Sequence, residues 1–84
     1  MTFVYQLPKR GPAGTPLKPG DIIRHPKKDV GLKYKVLDYL GFNYGNQDFM
    51  MEILEECGRP VRERKVEKVA GCEYRDYEVV KLAD

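Results

Sequence analysis

His25 is the one histidine in 84 residues, so it is the group best placed to move a proton near neutral pH. Acid–base catalysis also needs a nucleophile or carboxylate within hydrogen-bond reach and donors aimed at developing charge. The surrounding Arg24-His25-Pro26-Lys27-Lys28 names neither, and suits a structural turn or a position facing an anion. Cys57 and Cys72 are the only cysteines. With no CxxC pair and one remote histidine they fall short of the roughly four ligands that zinc takes, so no metal is expected. Two ordinary thiols and a Cys57–Cys72 bridge both stay open. Glu52, Glu55 and Glu56 would converge only on a helix, and neither Gly11–Gly14 nor Gly41–Gly45 completes a nucleotide-binding glycine loop. No catalytic residue and no cofactor is assigned, and a non-enzymatic role is the expectation.

Binding chemistry is better supplied. The formal charge of +2 conceals an uneven spread: residues 1–30 hold six cations against two acids. Lys9, Arg10, Arg24, Lys27 and Lys28 in that stretch, with Arg62, Arg64 and Lys65 further on, are the residue types that grip a phosphate backbone. Phe42 and Tyr44, in a glycine- and asparagine-rich segment, have faces on which a base can stack. A rival set reads as a protein contact: Phe3, Tyr5, Tyr39, Phe42 and Tyr44. Phe3-Val4-Tyr5 also has the character of an added edge strand, which makes a homodimer through that strand a further expectation. The leading expectation is a small protein-interaction or adaptor module with a protein partner. The alternative is a nucleic-acid-binding accessory protein, taking DNA or RNA through phosphate contacts and aromatic stacking.

A chain this short holds one small domain, and nine aromatics with 42% apolar residues supply a core. No apolar stretch approaches the roughly 20 residues needed to cross a bilayer, and no signal-like segment opens the chain. No membrane association and a cytoplasmic location are therefore expected.

The elements that must position these groups are mostly strands. Residues 1–19 divide into an arm and a connector in which Pro8, Gly11, Pro12, Gly14, Pro16 and Pro19 forbid regular structure. Residues 20–84 read as a single small β domain. Ile22–Arg24, Tyr34–Leu40, Phe49–Glu55, part of Val61–Val69 and Tyr77–Leu82 are the five expected strands. Phe49, Met51 and Ile53 face one way and Met50, Glu52 and Leu54 the other. Gly41–Asp48 reads as a hairpin loop, and Val61–Val69 as a long polar hairpin with a solvated helix as its competitor. Leu17-Lys18-Pro19-Gly20-Asp21-Ile22-Ile23 followed by Tyr34-Lys35-Val36-Leu37 resembles the opening strands of SH3-like barrels. That resemblance, with the strand count, implies a mostly β fold: a small SH3-like or related five-stranded barrel behind a proline/glycine-rich N-terminal segment.

Overall fold

The computed structural model describes residues 2–27 and 31–84. Five antiparallel strands form one sheet: β1 (Ile22–Arg24), β2 (Lys33–Asn43), β3 (Asn46–Glu56), β4 (Arg59–Val69) and β5 (Glu78–Lys81). Their order is β4-β3-β2-β1-β5. A single helical turn, α1 (Gly71–Tyr74), links β4 to β5.

Two tight turns set the register of the three long strands. Tyr44 and Gly45 have φ of 49° and 82°, and Cys57 and Gly58 have 51° and 75°. Positive φ at both central residues is the two-residue turn whose twist matches the right-handed twist of its flanking strands. The expected eight-residue loop at Gly41–Asp48 is thus corrected: β2 and β3 continue almost to the tip, and Gly41 sits within β2 beside a bulge. Extra residues at Leu37 and Leu40 of β2 interrupt the ladder and bend the strand.

Alternation then sorts the side chains. From β3, Phe49, Met51 and Ile53 enter the core, joined by Tyr34 and Val36 of β2, Ile23 of β1 and Val69 of β4. Tyr74 of α1 and Tyr77 close over them. The proline-rich segment contributes as well: Val4 and Leu17 are completely buried. Burying a valine or leucine stabilises by about 1.5–3 kcal/mol, which is what holds the arm down. Gly11 permits its close approach, since a Cβ there would stand 1.7 Å from the Leu17 carbonyl oxygen.

The sheet is open, which corrects the expectation of a closed SH3-like or related five-stranded barrel. Closure requires a ladder between the outermost strands, and β4 pairs only with β3. Residues 70–77 instead fold into α1 and send Tyr74 and Tyr77 across the core, while β1 and β5, at three and four residues, are too short to curl round to β4. Tyr77 stacks on Tyr34 with ring centroids 5.7 Å apart, so side chains rather than backbone span the gap. The last strand, expected over Tyr77–Leu82, is shorter: α1 ends at Tyr74 and β5 spans Glu78–Lys81.

The sheet's two edges are unlike. Along β5 the arm is already bound: Phe3 bridges Glu78, the Val79 amide donates to the Thr2 carbonyl (2.9 Å), and the Val4 amide donates to the Tyr77 carbonyl (3.0 Å). Along β4 no further strand follows among the described residues.

Candidate binding surface

The cations marked by the sequence do not converge on one face. Arg10 is turned inward to Asp21, a fully buried carboxylate that also accepts from the Lys18 amide (2.9 Å) and the Ala83 amide (2.7 Å). Arg24 lies 3.3 Å from Glu78 across the β1–β5 pair. Lys9 is exposed beside a shallow hollow formed by Tyr5, Leu7, Pro16 and Tyr74. Lys27 is exposed on the rim of an open cleft of about 450 Å³ that it shares with Arg24, His25, Lys33, Glu55 and Glu78. Lys33 and Glu55 pair across that cleft, so its charges are already largely matched. Lys28 lies outside the described residues.

His25 has a packing role. Its ring packs nearly perpendicular to that of Tyr77 with centroids 5.0 Å apart, and its Nδ1 accepts from the Lys27 amide at 3.2 Å. Among the described residues no group of three His, Cys, Asp or Glu side chains is arranged to hold a metal ion. Cys57 and Cys72 are both free and exposed. They flank opposite ends of β4, whose eleven residues rise about 3.3 Å each, far beyond the roughly 7 Å between Cα atoms that a disulfide can span. The alternative of an intramolecular bridge is thereby removed. No described helix is long and apolar enough to cross a membrane.

The aromatic candidates divide. Tyr39 is half-buried, packed on Phe49 and hydrogen-bonded to Gln47. Phe3 and Tyr5 belong to the docked arm and remain partly exposed. Phe42 and Tyr44 stand at the tip of the β2–β3 hairpin, where Tyr44 is entirely exposed. They project past the end of β4, whose last pair is Phe49–Val69.

Arg62, Arg64 and Lys65 do come together, on β4. With Arg59 and Lys68 they give this strand five cations against Glu63 and Glu67, and nearly every residue from Arg59 to Lys68 is exposed. Register assigns their faces. The rows Lys35–Glu52–Val66 and Asp38–Met50–Lys68 run across the face away from the core. Arg64 shares that face, 3.8 Å from Glu52. Lys65 and Glu67 point the other way, Lys65 to Glu56 at 3.0 Å and Glu67 to the Tyr34 hydroxyl at 2.7 Å. Arg59, Arg62 and Lys68 form no ion pair among the described residues. Between the Ile53–Lys65 and Glu55–Pro60 pairs, Val61–Arg64 bulge out opposite Leu54, so the regular ladder on β4 runs from Lys65 to Val69.

Sequence reasoning found these cations but missed that they form a bare edge. The signal was present in Lys65-Val66-Glu67-Lys68-Val69, a strand too polar on both faces to lie inside a sheet. No family model, curated protein or solved structure matches this chain.

Proposed function

We propose that the chain is a non-enzymatic protein-interaction module that takes an extended segment of a partner as an added strand on β4. One observation carries this reading. Of the two sheet edges, β5 is capped in cis at its Glu78–Val79 end by Thr2–Val4, while among the described residues no segment pairs with the outer edge of the eleven-residue β4. Unpaired amides and carbonyls along an edge give affinity to any chain that can supply the next ladder, and side-chain pockets give selectivity. Lysine and arginine on an edge discourage indiscriminate pairing. The same charges select a partner of opposite sign.

The test is selection of a random peptide library on the purified protein, with amide hydrogen exchange locating the bound peptide. The expected result is a peptide that protects the amides of Lys65–Val69 and loses binding when its own backbone is N-methylated. Footprints elsewhere would overturn the reading. So would mixed-sequence single-stranded DNA or RNA that covers β4 where no peptide does, with affinity falling steeply as salt rises; that outcome favours the phosphate-binding alternative.

A further inference from the structure

We infer that the strand received by β4 carries the pattern acid-x-apolar-x-acid, an inference that rests on the strand-addition reading. Along β4 the face away from the core presents Arg64, Val66 and Lys68 at successive two-residue steps. An incoming antiparallel strand places its own alternate residues directly opposite Val66 and Lys68, and the next one beside Arg64 where the bulge begins. An apolar side chain opposite Val66 extends the Lys35–Glu52–Val66 row and lies diagonal to half-buried Met50 in the adjoining row. Carboxylates two residues to either side meet Arg64 and Lys68. Lys68 has no ion pair among the described residues, and Arg64 has only the long 3.8 Å contact with Glu52. On the opposite face Lys65 and Glu67 are engaged by Glu56 and Tyr34, so selectivity falls on the Arg64, Val66 and Lys68 face.

A second copy of this chain fits poorly. A two-fold axis that continues the sheet must pair some β4 residue with itself and keep the two faces distinct. Centred on Val66 it sets Arg64 against Lys68 twice, and centred on Val69, the buried residue that ends β4, it leaves almost no strand on one side of the axis to pair. Centred on Lys65, Glu67 or Lys68, it sets a charge against its own copy. Like charges directly opposed are destabilising. Charge complementarity therefore commits the site to an acidic segment from another protein.

The test compares two peptides of one composition by fluorescence polarisation, centred on Glu-Thr-Val-Thr-Glu and on Thr-Glu-Val-Glu-Thr. With valine opposite Val66, the first aims both acids at Arg64 and Lys68, and the second aims them at Lys65 and Glu67. The first is expected to bind about tenfold more tightly. Lys68→Glu, on an exposed side chain, is expected to abolish that preference and to favour the Lys-Thr-Val-Thr-Glu version. Equal binding of the two isomers, still lost on N-methylation, overturns the pattern and leaves strand addition standing. Failure of these and of every library peptide to protect Lys65–Val69 overturns both.

Discussion

Tyr34 on β2 donates a 2.7 Å hydrogen bond to Glu67 on β4, reaching across the core face above β3. Side chains two strands apart meet in this way only where the sheet is strongly curved. The bond also fixes which face of β4 is spoken for. Glu67 is turned inward, which leaves Arg64, Val66 and Lys68 looking outward.

That hydroxyl gives the fold an alkaline limit. Burial pushes the Tyr34 pKa far above the ordinary tyrosine range, and the Glu67 hydrogen bond pushes it further. Burial likewise raises Tyr74 and Tyr77, the latter against an opposing effect from Tyr34. A folded pKa above the unfolded value of about 10 means stability that is whole below pH ~10 and lost as pH rises beyond it. Denaturant midpoints measured from pH 7 to 12 are expected to hold level and then fall. Tyrosinate absorbance from these three residues is expected to emerge together with unfolding. Tyr34→Phe is expected to cost about 1 kcal/mol at neutral pH, because Glu67 then faces water.

Asp21 ties the connector, the approach to β1 and the end of the chain to one buried carboxylate. Asp21→Ala strands the Arg10 guanidinium and two amides. A loss of about 3 kcal/mol is expected in urea unfolding, with a smaller loss for Asp21→Asn.

The arm is held by Val4 and admitted by Gly11. Gly11→Ala forces a methyl into the Leu17 carbonyl, and Val4→Asp puts a charge into the core. Both are expected to free the arm. Native-state hydrogen exchange would show this as faster exchange of the Val79 amide, which donates to Thr2, while the central β2–β3 amides keep their protection.

Cys57 occupies a left-handed backbone position that costs an ordinary side chain roughly 1 kcal/mol. Asparagine tolerates that conformation and favours this turn before glycine. Cys57→Asn is expected to raise stability by about 0.5–1 kcal/mol in chemical denaturation.

The two thiols are too far apart to close on each other. Mild oxidation followed by peptide mapping is expected to yield no Cys57–Cys72 linkage within a monomer, and both residues should alkylate readily in the native protein.

The periodicity of Phe49–Glu55 placed β3 and its two faces correctly, because alternating apolar residues in a half-buried strand have one stable orientation. Ile22–Arg24 was also legible as a strand, whereas Val61–Val69, whose charges suit a solvated helix as well, was resolved only by its ladder with β3. Sheet closure was not. Five strands satisfy a barrel and an open sheet equally well, and the choice rested on α1, a single turn without the periodicity that announces a longer helix. The same limit applies to the binding surface. Composition showed that Arg62, Arg64 and Lys65 lie together, but only the register revealed that Arg64 and Lys65 face opposite ways. The acids that Arg10 and Arg24 face, Asp21 and Glu78, are remote in sequence, so these pairings were not legible.

The arm's seat beside β5 has a consequence for the order of folding. The β2–β3 and β3–β4 hairpins join neighbours through two-residue turns, so they need little loop closure and form early. The contacts of Thr2 with Val79 and of Val4 with Tyr77, and that of Asp21 with Ala83 across 62 residues, close far longer loops. On the ribosome these must wait for the last strand, so β1 emerges without its outer neighbour and Val4 without its pocket. The edge that is protected in the finished protein stays open until β5 and the arm have met.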